Sequence, residues 1–276
     1  MTPNEPTLSQ RIANTAAELK HRLGQEPRVA MLLGTGHTSI AGQLKNRVTL
    51  KSEDLPAGIN FSENSPLLAG ELEGISVVIA DAPLACHEGH PPEAVTFPVR
   101  VLQAMGAELL CLSAGGASLS LQLEPGTIAV VEDHINLSGF HPLQGPYDPD
   151  IGPGCHDMSD PYPSRWREIA RGVAIEAGIP CLHGVYAAIP GPSLPTRAEY
   201  RFLKRVGADL VGMALVPEVL AAVHCGIDVL ALVGVTQMVA LESHRPVSIE
   251  SMVDAADLAA PRMAAMIAGI VRTLPR

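Results

Sequence analysis

The stretch Gly184–Gln237, GVYAAIPGPSLPTRAEYRFLKRVGADLVGMALVPEVLAAVHCGIDVLALVGVTQ, decides the fold. Apolar runs that predict strands alternate in it with helical patterns: strands at Val185–Ile189, Leu210–Ala214 and Val229–Val235, helices at Arg197–Val206 and Val216–Cys225. Such alternation is typical of βαβ units, whose binding sites gather where strands end and helices begin. We therefore expect an α/β fold with a small-molecule pocket at the edge of its sheet.

The N-terminal part of the chain contains a possible anion site. Thr7 and Gln10 predict a capping box for a helix that Gly24 ends. A short strand, Arg28–Leu33, then runs into Gly34-Thr35-Gly36-His37-Thr38-Ser39, and a helix is predicted from Ser39. A strand, a glycine turn and a helix present backbone N–H groups to an anion. The pattern lacks the third glycine of a dinucleotide site, and a plain tight turn explains it equally well.

The rest of the chain continues the alternation of strands and helices. The predicted strands are Ile75–Ala80, Leu109–Ser113 and Thr127–Val131, and the predicted helices are Glu93–Met105 and Asp160–Glu176. Val48–Leu72 and Ala82–His90 are predicted to be loops, the former beside the site. After Gln237, Ser248–Asp254 leads into a last helix, Ala260–Leu274, with Pro261 near its first turn, where proline is tolerated. We expect one domain, 1–276, with a central mixed β-sheet flanked by helices.

Composition excludes several classes of partner. The formal net charge of −10 and the absence of a basic stripe argue against nucleic acid, because neutralising phosphates requires clustered Lys and Arg. The polar start Met1–Pro6 does not resemble a signal peptide, and no apolar run is long enough to span a bilayer. The five scattered cysteines lack C-x-x-C spacing, which favours a reducing cytoplasm over disulfides or zinc. We expect no membrane partner.

Several motifs together resemble the trimeric family of purine nucleoside phosphorylases. Besides GPS-x-x-T-x-A-E and GAD-x-VGM-x-x-VPE in the central stretch, the matching runs are Thr96–Arg100 (TFPVR), Ala114–Gly116 with Glu124-Pro125-Gly126, Asp133–Gly139 (DHINLSG), His141–Pro146 and Met158–Tyr162. They keep the family's order and cover nearly the whole chain. The resemblance implies a nucleoside-phosphorylase-like fold, a homotrimer and phosphorolysis of a purine nucleoside to the free base and a pentose 1-phosphate. Inorganic phosphate is then a co-substrate, and no cofactor or metal is expected.

The resemblance also implies a phosphate site, from which charged groups are missing. Thr35 replaces the family's serine in the first glycine turn, and Ser113 and Ala114 keep its backbone platform. The family's arginine and histidine fall on Pro83 and Ala85, and its serine after VGM is Ala214. His37 lies inside the glycine turn, where the family has an apolar residue, so its imidazolium is a candidate to face phosphate; the other interpretation is a solvent-facing histidine.

The implied nucleoside site is altered as well. The family's glutamate at the purine edge is Pro195, and its Thr-Asn pair is Thr236-Gln237. His87 aligns with an aromatic residue of the family. Cys155 aligns near the phenylalanine that a neighbouring subunit contributes to the family's site. The nucleoside-binding positions implied are His87, Gly115, Leu194, Pro195, Met213, Thr236 and Gln237.

The catalytic residues are left open. The candidates are His37, His87 and Gln237, with His90 a weaker one. Asp133, His134 and Asn136 look catalytic in isolation, but the resemblance makes them part of a structural turn, and Glu199 and Glu218 are expected in the first turns of helices.

Two functional hypotheses follow, and fold alone cannot exclude an unrelated transferase or hydrolase on the same scaffold. The first is a phosphorylase-type pentosyltransferase with altered base preference or reduced activity. The second is a catalytically silent family member that binds a nucleoside or an anion.

Overall fold

The computed structural model describes residues 6–34, 38–56, 59, 65–81, 84–145, 148–239 and 248–275. The helices in these ranges are α1 (Leu8–Leu23), α2 (Pro92–Ala104), α3 (Ser164–Ala177), α4 (Arg197–Arg205), α5 (Val216–His224) and α6 (Ile249–Arg272). The strands are β1 (Val29–Leu33), β2 (Lys45–Leu50), β3 (Leu67–Leu72), β4 (Ile75–Asp81), β5 (Leu109–Ser118), β6 (Ile128–Asn136), β7 (Cys181–Ala188), β8 (Leu210–Gly212) and β9 (Asp228–Met238). The fold is thus α/β, as the alternation predicted.

The strands form one mixed sheet in the order β2-β3-β4-β1-β5-β8-β7-β6-β9. β5 also pairs with β9, so β5, β8, β7, β6 and β9 close into a ring. β1 lies parallel to both β4 and β5, and β5 lies parallel to β9. The carboxyl ends of these parallel strands therefore meet at one edge, where ligand sites of α/β sheets lie. The predicted central mixed sheet is confirmed.

The two faces of β5 contribute to two cores. Leu110, Leu112 and Ala114 belong to a core with residues of α1, α2 and α5. Leu109 and Cys111 belong to a second core with residues of α3 and α6. Because side chains alternate along a strand, Ser113 and Gly115 lie on the α6 side. Among the described residues, no helix combines the length and the apolar character needed to cross a membrane.

The predicted start and end of α1 are confirmed. The Thr7 hydroxyl accepts a hydrogen bond from the Gln10 N–H at 3.2 Å, and the Gln10 side chain accepts one from the Thr7 N–H at 3.0 Å. Gly24 ends the helix with φ of 67°. This reciprocal capping satisfies N–H groups that the first turn of a helix leaves unpaired.

Several predicted strand boundaries are wrong. The region predicted as the loop Val48–Leu72 contains β3 and the end of β2, and β2 was missed because its side chains are mostly exposed. β5 continues beyond its predicted end, Ser113, through Gly115 and Gly116. A Cβ on Gly116 would lie 2.8 Å from Val233 Cγ1, so glycine serves close packing here rather than a turn. β6 likewise runs on to Asn136, whereas β8 ends early at Gly212.

Two helix predictions are also corrected. The segment Thr38–Gln43 forms a 3₁₀-helix rather than an α-helix, since six residues that include Thr, Ser and Gly favour the α-helix weakly. The C-terminal segment is one helix, α6, and Pro261 lies in its interior rather than near its first turn. An interior proline costs about 3 kcal/mol, which the long buried face of α6 outweighs.

Tyr186 fills the inside of the strand ring. Its side chain is fully buried, and its hydroxyl accepts a hydrogen bond from the Ala214 N–H at 3.3 Å. A Cβ on Gly212 would lie 2.2 Å from the Tyr186 hydroxyl oxygen. Only a residue without a side chain fits at position 212 while this phenol stays in place.

We expect Gly212→Ala to destabilise the protein by about 1–3 kcal/mol, since overpacking a buried position costs about that much. Its thermal midpoint should fall by about 3–10 °C for a chain of this size. The matched control is Gly172→Ala in α3, where a Cβ would meet no atom within 4 Å. Adding Tyr186→Phe, which removes the clashing oxygen, should recover part of the loss. Equal midpoints for the two alanine variants, measured by calorimetry, would contradict this packing.

Candidate active site

The site is built around the β5 segment Ser113–Gly116, which the end of β1 approaches closely. The Gly34 N–H donates to the Ser113 carbonyl at 3.0 Å. A Cβ on Gly34 would lie 3.0 Å from that same oxygen, so a larger residue would push the strands apart. The sequence therefore places a glycine where the chain leaves β1 and begins the predicted anion turn.

The end of β9 forms the second wall. The Thr236 hydroxyl donates to the Gly116 carbonyl at 3.2 Å, and the Thr236 methyl carbon would lie 3.2 Å from a Cβ on Gly115. Gly115 is exposed although its neighbours in β5 are buried. A small open space consequently lies above Gly115, beside Thr236, on the face of β5 that also carries Ser113.

The turn that follows β8 forms the third wall. β8 is antiparallel to β5, with Val211 opposite Ala117, so the chain after Gly212 runs back along β5. This direction carries Met213 and Ala214 towards Gly115 and Ala114.

The loop that follows β7 packs against this turn. A Cβ on Gly191 would lie 2.4 Å from the Met213 sulfur. Gly191, in the loop that also contains Leu194 and Pro195, therefore packs closely against the Met213 side chain.

Three buried polar atoms of residues predicted for the site have no hydrogen-bond partner: Ser113 Oγ, Gln237 Oε1 and His87 Nδ1. A buried polar group without a partner costs about 1–3 kcal/mol, so such groups call for a ligand or water. Ser113 and Gln237 belong to the two strands, β5 and β9, whose ends form the site. These atoms are the strongest sign in the structure that a polar ligand binds here.

The loop that carries His87 packs near the start of α5. The Ala85 N–H donates to the Glu88 carboxylate at 3.2 Å and shapes a short 3₁₀-helix, Cys86–Glu88. Burial, and then the charge of Glu218, raise the pKa of Cys86 to about 11. Glu218 lies in the first turn of α5, so the two segments are electrostatic neighbours.

Three of the remaining predicted positions are not described by the structure, and two belong to the loop before α4. Thr35, His37 and Pro83 lie outside the described residues. Leu194 is 43% exposed, and Pro195 is half-buried directly before the N-cap Thr196.

Glu199 and Thr196 form a reciprocal cap at the start of α4. The Thr196 hydroxyl accepts from the Glu199 N–H at 3.3 Å, and the Glu199 carboxylate accepts from the Thr196 N–H at 2.6 Å. This confirms the helix-start prediction for Glu199.

Cys155 is not part of this chain's own site. Its loop is fixed at the far end of α5, where a His224 ring nitrogen lies 3.0 Å from the Pro153 carbonyl oxygen. A helix of the length of α5 spans about 13 Å, and Met213 precedes the opposite end. The structure thus keeps the position related to the family's lent phenylalanine away from the site of the same chain.

Asp133, His134 and Asn136 have structural partners. The His134 Nδ1 atom lies 3.0 Å from the Tyr162 hydroxyl, and Asp133 accepts from the His134 N–H. Asn136 accepts from the Ser138 N–H and donates to the Phe140 carbonyl, which shapes the following turn. Burial lowers the pKa of His134 more than the charge of Asp133 raises it. The structural interpretation of this segment is confirmed.

Sequence reasoning missed Tyr186 as a support of the site, and it assigned Glu218 to a helix start with structural contacts. Tyr186 supports Gly212 and Ala214 from inside the ring, whereas Glu218 is buried in the first turn of α5. A tyrosine within an otherwise small-residue strand and a glutamate in an apolar helix were the available signals. Within the described part of the chain, no group of three His, Cys, Asp or Glu is arranged as metal ligands.

Comparison with known proteins places this geometry in a family. The model of the Phosphorylase superfamily matches residues 28–272. Purine nucleoside phosphorylase 1 of Bacillus subtilis (strain 168) is 36% identical over 250 residues, which cover 90% of this chain and 92% of that protein. The purine nucleoside phosphorylase of Bos taurus is 32% identical over 275 residues, which cover 95% of this chain and 94% of the relative.

Solved structures of purine nucleoside phosphorylases are also similar to this chain. A Schistosoma purine nucleoside phosphorylase in complex with hypoxanthine has a TM-score of 0.94 and 28% identity, covering 99% of this chain and 100% of that one. The Schistosoma mansoni enzyme in complex with inosine has a TM-score of 0.93 and 28% identity, covering 98% and 99% of the two chains. The similarity therefore extends over the entire fold.

We expect Ser113→Ala to weaken anion binding without destabilising the free protein, because the hydroxyl that it removes is buried and unpartnered. The thermal midpoint should be unchanged or higher, whereas its rise on adding inorganic phosphate should shrink. Calorimetry with and without phosphate measures both effects.

The matched control is Ser118→Ala on the same strand. The Ser118 hydroxyl donates to the Ser120 carbonyl at 2.7 Å and accepts from the Ser120 N–H at 3.0 Å. Its loss should lower the midpoint by about 3–6 °C, since a buried hydrogen-bonding pair is broken. If Ser113→Ala keeps the full phosphate response, the hydroxyl does not contact the anion.

Proposed function

The chain belongs to the Phosphorylase superfamily, and we propose that it is a pentosyltransferase of the purine nucleoside phosphorylase type. It transfers the pentose of a purine nucleoside to inorganic phosphate and releases the free base and a pentose 1-phosphate. The observation that carries this proposal is the set of unpartnered polar atoms in the middle of β5 and at the end of β9. The relatives named above support the same activity.

The reaction requires two kinds of stabilisation. A phosphate oxygen attacks the anomeric carbon while the bond from that carbon to the base breaks, and the base leaves with the bonding electrons. The transition state resembles the oxocarbenium ion of glycoside hydrolysis. Donors must therefore hold the phosphate below the sugar, and other donors must stabilise the negative charge on the departing purine.

In this proposal, the Ser113 hydroxyl binds the phosphate. This hydroxyl is 3% exposed and unpartnered, next to the point where Gly34 contacts β5. Thr35 and His37, which follow Gly34 in the sequence, and the backbone at Ala114 are the further phosphate contacts of this proposal. A hydroxyl is a weaker partner for phosphate than a guanidinium, because hydrogen bonds with charge on both partners are stronger.

In the same proposal, the Gln237 amide binds the leaving base. The amide oxygen is buried without a partner, and the amide offers both a donor and an acceptor to a purine edge. Thr236 holds the end of β9 in place through its bond to the Gly116 carbonyl. His87 has a free buried ring nitrogen that suits a second contact to the nucleoside.

The substituted positions point to slower turnover. Proline and alanine at positions 83, 85 and 195 offer no side-chain hydrogen bond, and Ala214 lacks a hydroxyl. Losing a hydrogen bond to a charged group costs about 1.5–3 kcal/mol. Two such losses slow a reaction by about two to four powers of ten, at about 1.4 kcal/mol per power.

Base preference changes for the same reason. A carboxylate at a purine edge selects bases whose ring nitrogen carries a proton there, as in 6-oxopurines. Pro195 has no acceptor side chain to make that selection, so the difference in rate between 6-oxopurine and 6-aminopurine nucleosides should be small.

The comparisons do not favour the alternative of a catalytically silent binding protein. Further parts of the proposal are a single domain over 1–276, a homotrimer, a cytoplasmic location and no cofactor besides the co-substrate phosphate. The distance between Cys155 and the site of its own chain suits a loop that approaches a neighbouring subunit.

The deciding experiment is to incubate the full chain with inosine, guanosine, adenosine or xanthosine and to follow the free base by chromatography. We expect release that depends on inorganic phosphate, with accumulation of pentose 1-phosphate in equal amount. Thermal stabilisation by a nucleoside without any release of base would instead establish the silent binding protein.

Restoring charge at the phosphate site provides a second prediction. The double variant Pro83→Arg with Ala85→His should lower the KM for phosphate and raise kcat/KM by about ten- to a hundredfold, since each charged hydrogen bond contributes about 1.5–3 kcal/mol. Pro83→Ala with Ala85→Ser is the control without charge. Unchanged kinetics would mean that this loop lies outside the phosphate site.

A further inference from the structure

A buried carboxyl group lies under the turn that carries Met213 and Ala214. Glu218 is 4% exposed, in the first turn of α5, and its Oε2 atom has no hydrogen-bond partner. No arginine, lysine or histidine of the described residues forms an ion pair with it. A buried acid without a cation is costly when ionised, so Glu218 requires an explanation beyond a helix start.

The turn above it is strained. Leu215 has φ of 76° and ψ of −51°, and the Val216 N–H donates to the Ala214 carbonyl at 3.0 Å. This is a γ-turn with a positive φ at its central residue, a conformation that is rare and strained for a branched side chain. Such strain persists only where surrounding groups hold the backbone.

Tyr186 is one of the groups that hold it. Its hydroxyl accepts from the Ala214 N–H at 3.3 Å from inside the strand ring. Burial raises the pKa of Tyr186, and the charge of Glu218 raises it further, so the carboxyl group acts on the phenol electrostatically. The strained turn is therefore bonded to a phenol that responds to the charge of Glu218.

We infer that Glu218 is a positioning residue for the active site: in its neutral form it keeps Tyr186 and the turn Ala214–Val216 in place, and its ionisation loosens that turn. The inference rests on the proposed function only in assigning Met213 and Ala214 to substrate. The turn itself can be measured without substrate.

The surroundings of Glu218 explain why its ionisation acts on the turn. The groups that interact with its charge are Tyr186 of β7, Tyr162 before α3 and Cys86 of the His87 loop. All three are acids whose pKa burial raises, so they are neutral near pH 7 and none offsets a negative charge. The backbone N–H of Glu218 favours the ionised form, but burial has the larger effect, so ionised Glu218 would be a charge without a cationic partner in the turn of helix that follows Leu215.

The pH range follows from the same burial. Desolvation raises the pKa of Glu218 from 4.5 to about 7. An acid whose pKa is higher in the folded state contributes its full stabilisation of that state when the pH is below the pKa of the unfolded chain. This stabilisation is lost as the pH rises through the pKa of the folded state. The turn should therefore be tight near pH 6 and looser near pH 8.

The test uses Glu218→Gln, which has the same shape and no charge. Hydrogen exchange of the Ala214 amide, corrected for intrinsic rate, reports on the turn in the ligand-free chain. In the wild type we expect its protection to fall by about tenfold between pH 6 and pH 8, since one pKa unit corresponds to that factor. In Glu218→Gln, protection should change by less than about twofold.

Turnover gives a second readout. The kcat/KM of the wild type should fall above pH 7 relative to that of Glu218→Gln. Tyr186→Phe should lower kcat/KM, and the double variant should be no worse than Tyr186→Phe alone, because both residues act through the same turn.

Glu199→Gln is the control at the equivalent position of α4. Hydrogen bonds from Thr196 lower the pKa of Glu199, so its charge is constant from pH 6 to pH 8 and this variant should not alter the pH dependence of either readout.

The two proposals fail separately. If Ala214 protection has the same pH dependence in Glu218→Gln as in the wild type, the positioning role is wrong whatever the activity. If protection behaves as expected but no nucleoside is cleaved, the proposed function fails and the coupling of Glu218 to the turn stands.

Discussion

The close approach of several backbones around Ser113–Gly116 is the constraint on which the rest of the structure depends. β5 pairs with β9 along its length, with β1 over Leu109–Ser113 and with β8 near its end, so three neighbours share one strand. A Cβ would clash with the Ser113 carbonyl at Gly34, with the Val233 side chain at Gly116 and with the Tyr186 ring at Gly212. The lack of side chains at Gly116 and Gly212 lets the ring of strands close, and Gly34 lets the end of β1 approach β5 beside the open space at Gly115.

The sequence predicted most of this fold because apolar runs mark buried strands and caps mark helix ends. The reciprocal caps at Thr7 and Thr196 follow from local hydrogen bonding, which a few residues specify. The errors arise where tertiary packing decides. β2 is an exposed edge strand without alternation, Gly116 lies inside a strand, and Pro261 lies inside a helix whose buried face outweighs its cost.

The candidate site was predictable in position and only partly in composition. Motifs placed Ser113, Met213 and Thr236 near the ends of three predicted strands, and pairing in the sheet brings these strands together. Which polar atoms lack a partner depends on every neighbour, so the free Ser113 hydroxyl and Gln237 amide emerged only from the folded chain. The role of Tyr186 was hidden for the same reason, since its contacts with Gly212 and Ala214 are distant in sequence.

In this protein, the shape of the candidate site and its charge therefore depend on different residues. The charged or hydroxyl groups that the family resemblance implies fall here on small or apolar residues, such as Ala85, Pro195 and Ala214, so the substitutions remove hydrogen bonds without filling the site. The supports beneath it, Tyr186 and Glu218, are buried, and replacing a packed polar group costs stability as well as activity. Selection for a folded chain alone would thus retain the geometry of the turn, whereas only selection for turnover would retain the charges at the surface of the pocket. Under the proposed function, buried supports beneath a site with few charges predict weak binding of phosphate and a broad choice of base.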